Sequence, residues 1–273
     1  MGNVVALANQ KGGVGKTTTT MNLGIGLGKV GKKVLLVDAD PQASLTISMG
    51  IRNPECLEYT LASLMQTYME DKDSPTNYGI IHHSEGVDLI PANIELSGLE
   101  LSLFNAEKRE QVLRASLEAL RRSYDYILVD SPPSLGMMTI NVLSAADKII
   151  IPTQPNYLAI KGLDLLLRSI ARVRSQINPA LQIDGILLTM VNERTNNAKA
   201  IATSLESTLD KRIRIFDTRI PNSVRAVEAA QMGKSIFAHD KRGKVAVAYE
   251  ELTKEVMDLA QRNKHRSRSD GVR

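Results

Sequence analysis

Lys11, Lys16, Thr17, Asp38, Asp40 and Asp130 are the residues whose types and spacing point to chemistry. Both lysines lie in the run Asn9-Gln10-Lys11-Gly12-Gly13-Val14-Gly15-Lys16-Thr17-Thr18. Glycines at 12, 13 and 15 let successive backbone N–H groups converge on phosphate oxygens with no Cβ in the way. A helix starting near Gly15 aims the positive end of its dipole at the same anion. In that frame the Lys16 ammonium reaches the β- and γ-phosphates and the Thr17 hydroxyl ligates Mg²⁺. Residues Lys11 to Thr18 are therefore the expected nucleotide-binding segment.

The carboxylates close two other apolar runs. Leu35-Leu36-Val37 leads into Asp38-Ala39-Asp40-Pro41, and Ile127-Leu128-Val129 leads into Asp130-Ser131-Pro132-Pro133. In open α/β sheets ligands sit at the carboxyl ends of the strands. A carboxylate beside a triphosphate repels it unless it serves the metal or a water. Asp130, at the end of an apolar strand, has the arrangement of a metal-binding acid, acting on Mg²⁺ directly or through its water.

These residues need strands and helices in a set order. Apolar runs predict strands at 3–8, 33–37, 86–90, 125–129, 148–152, 183–191 and 213–216. Helical spacing predicts helices at 16–29, 58–69, 107–122, 159–176, 197–210, 223–231 and 243–262, with a short one within 93–104. The polar segment 70–85, with Pro75 and Gly79, reads as a surface loop. The strands lack polar alternation, as strands covered on both faces should. The expected fold is α/β: one domain over residues 1–262, with a mostly parallel twisted sheet and helices on both faces. Residues 263–273 are expected to form a basic, disordered tail.

The phosphate loop departs from G-x-x-x-x-G-K-[ST], because Gln10 stands where the first glycine belongs and Lys11 follows it. It resembles instead the deviant Walker A loop, K-G-G-x-G-K-T-T, of the ParA/MinD family of P-loop ATPases. That resemblance extends over about residues 3–262. It implies ATP and Mg²⁺ as cofactors and a homodimer formed on ATP binding, with Lys11 crossing to the partner's nucleotide. It further implies that Asp40 positions or activates the attacking water, that Asp38 lies close to the metal, and that the Asp130-to-Pro133 segment senses the γ-phosphate. It makes Asn192 the reader of the adenine edge and packs Pro221 on the base. It also places DNA contacts at Arg194 and Arg225, with Lys199, Lys211, Arg212 and Arg214 as candidates to widen the patch. Where many relatives carry Ile-Pro-Arg-Asn, this chain has Ile220-Pro221-Asn222-Ser223, one basic group fewer. The partition branch of the family implies non-specific DNA binding, a ParB-like protein that stimulates hydrolysis, and a cytoplasmic, nucleoid-associated location.

Other branches are weighed by the rest of the chain. A MinD-like membrane cycle needs a C-terminal amphipathic helix with bulky apolar residues. After Leu259-Ala260 only Val272 offers a larger aliphatic side chain. A cluster shared between nitrogenase-type subunits needs two cysteines from each, and Cys56 stands alone. Tyrosine autokinases of related fold carry a tyrosine-rich tail, whereas residues 250–273 hold no tyrosine. A ParA-like protein that positions other cargo and a dethiobiotin-synthetase-like ligase remain as alternatives. The lone cysteine suits a reducing compartment, and no apolar run approaches the ~18 residues of a membrane span. The chain enters its first strand at once, so no leader peptide is expected. Net charge is +4. Five Lys/Arg and one Asp in residues 262–273 account for all of it, so the remainder is neutral.

Overall fold

A computed structural model describes residues 1–70, 79–155, 157–192 and 213–270, and the side chains of 157–161 and 263–270 lie outside the described residues. Eight strands form one sheet: β1 Asn3–Leu7, β2 Val34–Asp38, β3 Ile81–His83, β4 Val87–Ile90, β5 Tyr126–Asp130, β6 Lys148–Thr153, β7 Gln182–Val191 and β8 Ile215–Pro221. Their order is β3-β4-β2-β5-β1-β6-β7-β8. Only the β3–β4 pair is antiparallel.

Successive strand residues feed two separate cores. Val4, Ala6, Leu35, Val37, Ile127 and Val129 belong to one apolar cluster. Their neighbours Val5, Leu7, Val34, Leu36 and Leu128 belong to the other. Every residue along these strands except the half-buried Asn3 is buried, which is why the sequence shows continuous apolar runs. The first core is closed by α3 Leu61–Met69, α4 Glu95–Leu103, α5 Val112–Glu118, α6 Met137–Ala145 and α7 Tyr157–Gln176. The second is closed by α1 Lys16–Lys29, α2 Ser44–Ser48, α8 Val224–Gln231, α9 Ile236–His239 and α10 Lys244–Asp270. Helix α1 lies tight on the sheet: a Cβ at Gly24 would collide with Leu36, and one at Gly26 with Thr253 of α10.

Several expectations change. The polar 70–85 segment contains strand β3, which adds an antiparallel edge to β4. Helix α6 was not expected, because eight of its nine residues are buried and no polar face marks a helical period. The short α2 also escaped notice. The 107–122 helix is cut to Val112–Glu118, followed by a 3-10 turn at Leu120–Arg122. Strand β8 runs on to Pro221, and α10 continues past 262 to Asp270. The expected helix 197–210 lies outside the described residues, as do Arg194, Lys199, Lys211 and Arg212. Among the described residues no helix is long and apolar enough to cross a membrane.

Candidate active site

The glycine-rich segment is the turn between β1 and α1, tied by hydrogen bonds to β6, β7 and the residue after β6. Asn9, buried, donates through Nδ2 to Pro152 O at 2.7 Å at the end of β6, and accepts from Lys11 N at 3.0 Å. Thr189 of β7 donates to Val14 O at 2.7 Å. Gln154 donates to Gly13 O at 2.9 Å. Gly13 and Gly15 have φ of +70° and +83°, the left-handed region that glycine enters without a Cβ penalty. Cβ atoms built at Gly12 and Gly13 would meet nothing within 4 Å. Gly15 caps α1 without a side-chain hydrogen bond, and no acidic residue occupies the first helical turn. The first-turn N–H groups therefore keep their capacity for an anion.

Three carboxylates and one ammonium converge beside this loop. Asp38 and Asp130 are register partners on adjacent parallel strands, and both are buried. Asp130 Oδ2 accepts from Thr17 Oγ1 at 2.6 Å, and Oδ1 accepts from Thr20 Oγ1 at 3.4 Å. Burial, followed by the Asp38 charge, raises the Asp130 carboxyl to about 8, while Thr17 and Lys16 pull the other way. Burial also raises Asp38 to about 6, against hydrogen bonds from Thr46 and Asp40 N–H. Lys16 is pushed below the usual lysine range by burial, and the charges of Asp130 and Asp40 oppose that shift. Asp40 is half-buried, and its Oδ1 accepts from Gln42 N at 3.0 Å.

This charge balance can be tested against a magnesium nucleotide. Three acids facing one lysine leave excess negative charge in a buried place, which is costly unless a cation or protons offset it. A divalent ion beside Thr17 and Asp130 would relieve it. Among the described residues no group of three His, Cys, Asp or Glu side chains could hold a metal unaided. Phosphate and water must then supply the other ligands, as is usual for Mg²⁺. Gln10 Nε2 is a buried donor with no partner among the described residues, a further group that an anion could satisfy. The residues fit the cofactor.

Residues 2–183 match the family model described as an AAA domain. The chain is 42% identical to the sporulation initiation inhibitor protein Soj of Bacillus subtilis (strain 168) over 258 residues, covering 94% of this chain and 98% of Soj. It is 38% identical to the chromosome partitioning protein ParA of Caulobacter vibrioides (strain NA1000 / CB15N), with 93% of each covered. The chain belongs to the ParA/Soj family of partitioning ATPases. Among solved structures, the cobyrinic acid a,c-diamide synthase of Mycobacterium smegmatis with bound ADP and magnesium superposes on this ParA/Soj chain with a TM-score of 0.83 at 32% identity. That match covers 96% of both chains. The septum site-determining protein MinD of Pyrococcus horikoshii OT3, complexed with Mg-ADP, shares the fold with a TM-score of 0.73 at 24% identity. It covers 95% of this chain and 98% of MinD.

The structure also describes Asn192, Pro221 and Arg225, whereas Arg194 lies outside the described residues. Val191 pairs with Pro221, and Asn222 N donates to Val191 O at 3.1 Å, so Asn192 and Pro221 are neighbours at the ends of β7 and β8. Three residues before Asn192, Thr189 contacts the phosphate loop. Met190 between them has a φ of +51°, a strained value of the kind that collects at functional sites. Arg225 stands on the first turn of α8, 64% exposed, with Nη1 3.2 Å from Glu228 Oε2. Val14 is buried, and Thr18 O accepts from Asn22 Nδ2. Asn9, Thr46, Gln154 and Thr189 are the site residues that sequence reasoning missed. Local partners exist for Asn9, two residues from Lys11, and for Thr46, eight residues from Asp38, and both residue types are too common at such positions to signal a role.

Proposed function

We propose that this protein is a Mg²⁺-dependent ATPase that partitions DNA, cycling between a nucleotide-gated dimer on DNA and a released state. The observation that carries the reading is the buried meeting of Lys16, Thr17 and Asp130 at the mouth of a K-G-G-x-G-K-T-T loop. Near-full-length identity to Soj and ParA supports the partitioning role. Bound magnesium neutralises phosphate charge and polarises the γ-phosphate. Lys16 holds the phosphates by charge, and the loop N–H groups orient them. Thr17 and Asp130 hold the metal, with Asp38 close by. Asp40 positions or activates the attacking water. Asn192 and Pro221 face the adenine.

Lys11, in the loop ahead of Lys16, crosses to the partner's nucleotide, so ATP favours the dimer. The dimer joins Arg225 and Arg194 of both subunits into one basic surface. Phosphate contacts of this kind position DNA without reading its sequence. A ParB-like partner stimulates hydrolysis, and the dimer then leaves DNA. The cycle is a population shift, because only the nucleotide-bound dimer gathers enough charge for tight binding. The location is the cytoplasm, at the nucleoid.

The deciding experiment is DNA binding in apo, ADP and slowly hydrolysed ATP states at moderate salt, on two unrelated duplexes. Equal binding to both with ATP alone supports the reading. Lack of binding in every state overturns it and turns attention to protein cargo or ligase chemistry.

A further inference from the structure

Thr46 lies outside the phosphate loop and the acidic strand ends, yet it ties Asp38, at the end of β2, to the chain just beyond β4. It is fully buried in α2. Its N–H and its Oγ1 each donate to Asp38 Oδ2 at 2.8 Å. The same Oγ1 accepts from Ala92 N at 3.0 Å, just beyond β4. The hydroxyl proton is committed to Asp38, so the oxygen's lone pair serves Ala92. The other Asp38 oxygen, Oδ1, accepts from Asp40 N at 3.2 Å. Asp40 O then accepts from Ala43 N at 2.9 Å, and Asp40 Oδ1 accepts from Gln42 N at 3.0 Å. Ala43, with a φ of +52°, turns the chain back into α2.

The loop is therefore a closed circuit. Among the described residues Thr46 supplies two of the three donors to Asp38, and Asp38 anchors the backbone of Asp40. Buried charges stay ionised and fixed only when such donors surround them. We propose that Thr46 is a positioning residue for ATP hydrolysis. It acts through Asp38 to fix where the Asp40 carboxylate stands relative to Lys16. The inference rests on the reading that Asp40 serves the attacking water.

Thr46→Val keeps the shape and removes the hydroxyl, whereas Thr46→Ser restores it. Misplacing a reacting group by about 1 Å costs up to ~100-fold in rate. Thr46→Val should lower kcat about 10- to 100-fold, with nucleotide affinity within about threefold of wild type. Thr46→Ser should stay close to wild type. Amide hydrogen exchange at 40–44, read on nucleotide-free protein, should rise in Thr46→Val and not in Thr46→Ser. In an Asp40→Ala background Thr46→Val should change kcat less than about twofold, since coupled residues are not additive. Equal losses in both backgrounds would assign Thr46 a merely structural role and overturn the inference. Wild-type kcat and exchange in Thr46→Val would overturn it outright. Should Thr46→Val fold poorly, Thr46→Ala carries the same comparisons. Wild-type turnover by Asp40→Ala alone would remove the reading of Asp40 and this inference with it, whereas a slow Asp40→Ala beside a normal Thr46→Val sinks only the inference.

Discussion

Thr17 Oγ1 donates to Asp130 Oδ2 across 2.6 Å, joining the first turn of α1 to the end of β5. The residues are 113 apart in sequence, and they are the two proposed above to hold magnesium. Burial raises the Asp130 carboxyl to about 8. Below that value Asp130 carries a proton, and Thr17 and Thr20 still surround it.

Stability of the nucleotide-free, magnesium-free protein should fall as pH rises from about 4 to 8. Asp130 goes from 3.8 unfolded to about 8 folded, so between those values the native state holds a proton that the unfolded chain lacks. Stability then declines with pH across the window. Asp38, raised to about 6, adds to the slope between about 4 and 6. A melting-temperature series in chelator checks this, and Asp130→Asn should flatten the curve between 6 and 8. A slope that Asp130→Asn leaves unchanged would place the titration elsewhere.

Magnesium nucleotide should expel that proton. Metal stabilises the ionised carboxylate, so binding at pH 7 releases a proton from wild type and not from Asp130→Asn. Calorimetry in two buffers of different ionisation heat measures the release directly. Asp130→Asn should also need at least ~10-fold more magnesium for half-maximal turnover, the size of loss expected when a supporting group of a metal site goes.

Lys16→Ala should abolish turnover. The ammonium is buried beside Asp130 and Asp40, and its removal leaves the phosphates facing those carboxylates without the lysine that offsets them. A fall of about 10³-fold in kcat/KM corresponds to ~4 kcal/mol of lost transition-state stabilisation. Retained turnover would dismantle the phosphate-loop assignment.

The legible part of this site was the part written in local sequence. Asp38 and Asp130 stood at the ends of apolar runs, and Gly12 to Thr18 carried their pattern in one stretch. Strand β1, helix α1 and strand β2 followed within a residue or two. The supporting bonds were illegible for a physical reason. Asn9 meets Pro152, and Thr189 meets Val14, across 143 and 175 residues, so no spacing rule links them. Helix α6 was hidden because eight of its nine residues are buried, the polar Thr139, Asn141 and Ser144 among them, so no polar face marks a period. Strand β3 was hidden by polar composition: His82 is exposed, and Ile81 and His83 are only half-buried.

Gly12→Val and Gly13→Ala should separate folding from assembly. A Cβ at Gly12 meets nothing within the subunit, and Gly12 is absent from the positive-φ residues. The valine variant should melt within a few degrees of wild type and bind nucleotide. Its ATP-dependent dimerisation, read by light scattering, should be lost, because the branch crowds the close approach of a second subunit. Gly13 sits at φ +70°, so alanine there costs ~1–2 kcal/mol. Gly13→Ala should therefore lower the melting temperature where Gly12→Val does not. Dimerisation of Gly12→Val at wild-type concentration would refute an interface at the loop.

Arg225→Glu should lose DNA while keeping ATP-dependent dimerisation and basal hydrolysis. The guanidinium is largely exposed on the first turn of α8. Its ion pair with Glu228 at 3.2 Å is a surface pair of small worth, so a phosphate competes for it readily. The substitution swaps an attraction for a repulsion in each subunit of a dimer, and the affinity loss should exceed tenfold at moderate salt. Arg225→Ala should show the same direction with a smaller loss, and should flatten the salt dependence of binding. Glu228→Gln should instead tighten DNA, because it releases Arg225 from its carboxylate neighbour. Unchanged affinity in Arg225→Glu would move the DNA surface off α8, whatever the outcome for nucleotide.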